Sequence, residues 1–429
     1  RKRYGNRWRM DVMPFRFGKS KIAGLLEYLI ALILVFDINT IWLRKDNLGG
    51  DFFTYVGVIF MIVYILYSGK LKIKRKEIIL LIISVIYAAL MSIGNLSVYT
   101  IIQNTVTVGI GFVVMLQAVK RNHESERKPL IEKFCDIVVV LASVSLFFYF
   151  FGTVMNLLPG KTTAFYKWGG DRTVGSYFNL YFETYTPNYL LQILLGHTVY
   201  RNTSIFPESP MFAYVLCLAL AKEVLGKTKC SIPRITILVI TIFTTGSTTG
   251  ANVILLILGL YELQKICDNR THKSWRAIGV ALLPVFAVFL IYAVSYLMSY
   301  KLETMSTSYN IRSDDWSACL RVFFSSPIWG VGINNYKPIY NSFSSAVYRT
   351  GIGWSTGLFI LLAQTGVSFI IWPILGLIRN KYERWGYSLL IVFLVLFSVT
   401  NVPYKLLNVL YVGSILITSK REIEAKGVV

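Results

Sequence analysis

Residues 277–299 read AIGVALLPVFAVFLIYAVSYLMS, an uninterrupted apolar run without one charged side chain. A helix of roughly twenty such residues spans the hydrocarbon core of a bilayer. The run is flanked on its N-terminal side by Lys265, Arg270, Lys273 and Arg276. A second long run, WSTGLFILLAQTGVSFIIWPILGLI at 354–378, follows a polar stretch. Working outward in both directions, the sequence predicts spans at 22–43, 52–68, 78–94, 100–118, 134–156, 210–225, 235–246, 251–265, 277–299, 354–378, 387–401 and 404–418. Composition agrees, because only 15% of residues are charged and 55% are hydrophobic. A soluble protein carries nearer a quarter charged residues.

The net charge of +22 does not indicate nucleic acid, since the basic residues are clustered in short segments between apolar spans. Examples are Lys70, Lys72, Lys74, Arg75 and Lys76, then Lys120, Arg121, Arg127 and Lys128. Basic loops are retained in the cytoplasm. With the N-terminus inside, the large majority of Lys and Arg fall on one side. The expected fold is an all-α polytopic membrane protein of about 12 transmembrane helices with both termini inside. Residues 1–21 form a basic cytoplasmic tail, 22–418 the transmembrane domain, and 419–429 a second cytoplasmic tail. The stretch 235–265 is read as a hairpin around Gly246-Ser-Thr-Thr-Gly250, because a single helix would put the basic 265–276 segment outside.

Two large loops, 157–209 and 300–353, then lie on the external face. The first has an aromatic-rich middle (Tyr166, Trp168, Tyr177, Phe178, Tyr181) and an apolar segment, 189–197, suited to an interfacial helix. The second contains Asp314–Phe324, where Trp316, Cys319, Leu320 and Phe323 recur at helical spacing. Five cysteines without close spacing support neither a disulfide framework nor a zinc site, and no metal or cofactor is expected.

The chemistry-bearing residues lie in these loops. Arg201 precedes Phe206-Pro-Glu208-Ser-Pro210, where an Arg and a carboxylate beside two prolines suit anion binding and proton acceptance, or simply an interface anchor and turn. Arg312 and Arg321 flank the Asp314-Asp315-Trp316 segment. Arginine binds phosphate bidentately and stays charged. Arg201, Arg312, Arg321 and Arg349 therefore suit a diphosphate cradle, the alternative being surface pairing with Asp171, Glu183 or Glu303. Arg172 reads as a solvated neighbour of Asp171, His197 as a structural loop residue, and Asp37 as a helix-pairing or cavity-lining carboxylate.

Arg201-Asn-Thr-Ser-Ile-Phe-Pro-Glu208-Ser-Pro, the polar turn at 246–250, Arg312-Ser-Asp-Asp-Trp-Ser-Ala-Cys-Leu-Arg321 and Ser326-Pro-Ile-Trp-Gly-Val-Gly332-Ile-Asn-Asn335 occur in that order. The set resembles the O-antigen and capsule repeat-unit polymerases (Wzy-type), whose superfamily includes the O-antigen ligases. The resemblance implies a GT-C-like architecture in the bacterial cytoplasmic membrane, with its active site on the external side. It implies a glycan on undecaprenyl pyrophosphate as both donor and acceptor, with membrane lipid and a chain-length regulator as partners. Glu208 would take the acceptor proton, with Arg312 and Arg321 stabilising the leaving diphosphate. Arg201, Arg349, Trp316 and Asn335 would bind substrate. The ligases tend to carry a His near the start of the span after the second loop. Here that region reads Gly351-Ile-Gly-Trp354-Ser-Thr, and the second loop has no His, which favours polymerase over ligase. A lipid-linked oligosaccharide flippase is the rival from another class, disfavoured by the length of the loops.

Overall fold

The computed structural model describes residues 19–45, 51–68, 75–95, 97–125, 128–168, 170–188, 191–192, 195–226, 230–267, 306–345, 347, 355–370, 384–400, 402 and 404–417. Its helices are α1 (Lys19–Phe36), α2 (Ile41–Lys45), α3 (Phe52–Tyr67), α4 (Arg75–Ser92), α5 (Val98–Ser125) and α6 (Leu130–Phe148). After the first loop come α7 (Ser209–Leu225), α8 (Ile232–Thr244) and α9 (Thr248–Cys267). The second loop holds α10 (Ser306–Ser325) and α11 (Lys337–Tyr340), and α12 (Gly357–Thr365), α13 (Arg384–Ser398) and α14 (Leu406–Ile417) follow. Helices lie at every expected span except 277–299, which falls outside the described residues. The span at 354–378 is described only as far as 370.

Val98–Ala118 and Leu130–Val154 are long and apolar enough to cross a membrane, and six shorter apolar helices accompany them. The outer surface supports a membrane setting. On α4, Ile78, Ile82, Ile86 and Leu90 follow one another at i, i+4 spacing and all are exposed. An apolar stripe of that kind is an aggregation liability in water and well placed against lipid.

At the centre runs α7, whose side chains are buried almost along its whole length. It packs on α6, α8, α9 and α13. The break between α8 and α9 supports the hairpin reading. Gly246 adopts φ +59, and a Cβ there would meet the Asn188 amide at 3.0 Å. Asn188 Nδ2 donates to the Thr244 carbonyl, and Asn202 Nδ2 to Thr244 Oγ1 at 3.0 Å. The turn is thereby fastened beneath the first loop.

Polar links of this kind gather the loops at one end. Asp37, fully buried, accepts from Thr54 Oγ1 at 2.7 Å and from the Leu406 amide at 3.2 Å, and pairs with Lys405. It is a helix-pairing carboxylate that caps α14. A separate network sits further back along α1. Glu27 pairs with Lys133, both buried, and accepts from Tyr64 Oη at 2.8 Å. Asp136 nearby accepts from Tyr28, Lys128 and Arg234.

The all-α expectation needs one correction. The first loop folds into a three-stranded antiparallel sheet in the order β1 (Lys161–Lys167), β2 (Asp171–Tyr177) and β3 (Tyr181–Glu183). The register pairs Lys161 with Tyr177, Lys167 with Asp171 and Tyr177 with Tyr181. Alternation drives it, because Ala164 and Tyr166 are buried against Ile41, Val174 and Phe182 while Phe165 is exposed. The expected interfacial helix at 189–197 lies partly outside the described residues.

Candidate functional site

Residues 201–208 connect the sheet to α7, and their backbone is held on both sides. The Phe182 amide donates to the Ser204 carbonyl at 2.8 Å, and the Ile41 amide to the Ile205 carbonyl at 2.8 Å. Asn202 Oδ1 accepts from Ser145 Oγ at 2.7 Å, which joins the segment to α6. Glu208 then occupies the N-cap of α7 in an extended conformation, with a proline in the first turn. The proline suits that turn, whose amides have no intrahelical acceptor, and the helix dipole favours negative charge there.

Glu208 is half-buried and accepts a hydrogen bond from Trp168 Nε1 at 2.7 Å. Trp168 follows β1, and the guanidinium of Arg44 lies 5.2 Å from its ring centroid. Tyr166 Oη donates to the Pro207 carbonyl at 3.4 Å. Burial raises the Tyr166 phenol above its ordinary pKa. Arg172 opposes the rise by charge and hydrogen bonding, and the Glu208 charge adds to it. Arg172 is therefore linked to this corner through Tyr166, although its side chain is exposed.

The second loop supplies Arg312. Burial lowers its pKa, while the negative charges of Glu208 and Asp315 pull it back up, so Arg312 lies within electrostatic reach of Glu208. Among the described residues the guanidinium has no hydrogen-bond or ion-pair partner. Asp315, one turn further along α10, is fully buried and accepts from the Ser355 amide at 2.9 Å and from Ser355 Oγ at 2.6 Å. Trp316 shares the face of Arg312 by i, i+4 spacing. It stacks on Phe359 at 5.4 Å between centroids, and its Nε1 is buried without a partner.

The other candidate residues are placed differently. Arg321 is 54% exposed, donates to the Ser342 carbonyl and stands 3.8 Å from Asp314 Oδ1. Arg201 Nε donates to the Pro187 carbonyl at 3.1 Å within the first loop. Asn335 Nδ2 donates to the carbonyls of Val331, at 2.9 Å, and Gly94, at 3.3 Å, pinning the second loop to the α4–α5 turn. Close backbone approach makes this junction possible. Gly332 has φ +100, and a Cβ on it would lie 2.5 Å from Gly94 Cα. Arg349 lies outside the described residues. The structure thus puts Arg312 within electrostatic reach of Glu208, while Arg201, Arg321 and Asn335 make contacts within their own loops or with the α4–α5 turn.

Sequence reasoning passed over Arg44 and treated Trp168 only as one aromatic among many. A signal for Trp168 was present, because alternating Thr-Ala-Phe-Tyr-Lys followed by Trp-Gly-Gly-Asp marks a strand running into a turn.

Residues 235–369 match the family model Wzy_C, described as O-Antigen ligase. Over this segment, about a third of the chain, the sequence is similar to the O-antigen ligase/polymerase superfamily. The Wzy_C segment contains most of α8, all of α9, Arg312, Arg321 and the Gly330-Val-Gly332 junction, while Arg44, Trp168 and Glu208 precede it. No curated protein and no solved structure gave a significant match.

Proposed function

We propose that the chain is a polysaccharide polymerase that moves a glycan from undecaprenyl pyrophosphate to the end of another lipid-linked repeat unit. In this reading the chain is a multi-pass protein of the bacterial cytoplasmic membrane, with both loops on the external face. The observation that supports it is the guanidinium of Arg312, without a hydrogen-bond or ion-pair partner among the described residues, within electrostatic reach of Glu208 at the head of a buried helix.

The chemistry needs an anion stabiliser and a proton acceptor within one site. As the anomeric C–O bond to the diphosphate breaks, its electron pair passes to the departing phosphate oxygen. Arg312 meets that charge with a guanidinium that needs no rearrangement to receive it. Such preorganised donors commonly contribute about 3–4 kcal/mol each. The acceptor hydroxyl forms the new C–O bond and gives its proton to Glu208, a transfer typically worth about 10²–10⁴-fold in rate. Trp168 fixes the orientation of the carboxylate. Trp316, with a free indole N–H and an aromatic face, suits a sugar ring, and Arg201, Arg321, Arg349 and Asn335 are the further candidate contacts. A chain-length regulator is the proposed protein partner.

The ligase reading shares the donor and differs in the acceptor. Polymerase is favoured because the start of the span after the second loop, Gly351-Ile-Gly-Trp354-Ser-Thr, has no His where the ligases tend to carry one. Gene deletion followed by electrophoresis of the surface glycan separates the possibilities. A product of one repeat supports the polymerase. Full-length glycan left on the lipid carrier indicates a ligase, and repeat units trapped on the inner leaflet indicate a flippase.

A further inference from the structure

Arg44 closes the short helix α2, which is held against the first loop. Trp42 Nε1 donates to the Asn179 carbonyl at 2.8 Å, and the Ile41 amide to the Ile205 carbonyl. The neighbouring Lys45 is exposed and reaches Asn179 Oδ1 at 3.1 Å. Arg44 instead folds inward. One guanidinium nitrogen, Nη2, donates to Asn39 Oδ1 at 2.9 Å, and the guanidinium lies over Trp168. Its Nε is buried with no hydrogen-bond partner. Asp51 contributes charge to this site. The same indole that carries Arg44 donates through its Nε1 to Glu208, so Arg44, Trp168 and Glu208 stand in series.

We infer that Arg44 is a second guanidinium of the diphosphate-binding site, presented by the Trp168 ring on the side of Glu208 that Trp168 covers. The inference rests on the proposed glycosyl-transfer reading. A membrane anchor has its charge in water or among headgroups, with the stem against apolar surface. Arg44 is arranged differently, since its guanidinium is stacked on an indole, Nη2 is held by Asn39, and the buried Nε has no hydrogen-bond partner. A stacked, planar guanidinium loses little freedom on binding and meets two phosphate oxygens at once. Two arginines from separate elements suit a leaving group that carries at least two negative charges. One chemistry, a phosphate oxygen, also belongs to the headgroup of an ordinary anionic phospholipid, and the test must separate the two sources.

The full chain, purified in detergent, is titrated calorimetrically with farnesyl diphosphate as the probe, with and without phosphatidylglycerol. Wild type, Arg44→Gln, Arg44→Lys and Arg312→Gln are compared, with thermal melting as the check on folding. The expected result is binding by wild type and a loss on the order of tenfold or more in Arg44→Gln, the size of one charge-assisted hydrogen bond. Arg44→Lys retains charge without the planar fork and is expected to weaken binding several-fold. It decides the question if the Gln variant does not fold. Wild-type affinity in the Arg44 variants together with lost affinity in Arg312→Gln overturns the role of Arg44 and leaves the functional reading standing. Absence of binding by wild type overturns both. Displacement of the probe by phosphatidylglycerol in wild type assigns Arg44 to headgroups and overturns the inference as well.

Discussion

Arg312 lies within electrostatic reach of Glu208, although one belongs to the long helix of the second loop and the other caps the buried helix after the first. Each is held by a different part of the fold. Arg312 is set beside Asp315, which Ser355 fixes from the next span, and Glu208 is oriented by Trp168. In the proposed reading the two loops share one site.

Arg312 and Arg321 are expected to behave differently. Replacing Arg312 with Gln removes the unpaired cation and is expected to lower polymer formation by about 10²–10³-fold, with single repeats left on the lipid. Arg321 already pairs with Asp314 and the Ser342 carbonyl, so Arg321→Gln is expected to loosen the 340s segment and lower activity less. Glycan ladders normalised to the amount of protein in the membrane check both.

Glu208→Gln keeps an oxygen for Trp168 Nε1 and the N-cap position while deleting the proton acceptor. Turnover is expected to fall by about 10²–10⁴-fold with the melting temperature little changed. Undiminished turnover removes Glu208 from the mechanism.

The Gly332–Gly94 contact leaves no room for a side chain, and the backbone of Gly332 is in the left-handed region. Gly332→Ala is therefore expected to destabilise the protein by about 1–3 kcal/mol or more, seen as a lower melting temperature in detergent. An unchanged melting temperature contradicts the described seating of the second loop.

Far from the site, Lys133→Met leaves Glu27 buried without its cation, and breaking a buried pair on one side costs about 3–5 kcal/mol. Adding Glu27→Gln to that variant is expected to recover part of the loss. The two melting curves, compared with wild type, report the coupling.

Much of this architecture was legible from apolar run lengths and the positions of basic clusters, including the break at Gly246, where charge on the flanks argued for a turn. Glu208 and Arg312 were singled out because few residue types can accept protons or bind phosphate, and the fold puts the two within electrostatic reach of each other. The sheet was hidden by its own composition. Tyr, Trp and Phe serve equally in strands and in the aromatic belt of a membrane interface, so their density alone does not announce strands. Arg44 was passed over because nothing local to α2 shows that the tryptophan following β1 will cover it. The separation of Arg312 from Arg321 was available. About two and a half helical turns lie between them, which puts them on opposite faces of α10.

The central claim is that Arg312 and Glu208 jointly promote glycosyl transfer from a lipid diphosphate. Its most direct test is reconstitution of the purified chain in liposomes with undecaprenyl-pyrophosphate-linked repeat units, following released lipid diphosphate and chain length together. The account predicts release in step with polymer growth for wild type, and neither above background for Arg312→Gln or Glu208→Gln. Movement of repeat units across the bilayer without chain growth, or growth undisturbed by both substitutions, contradicts it.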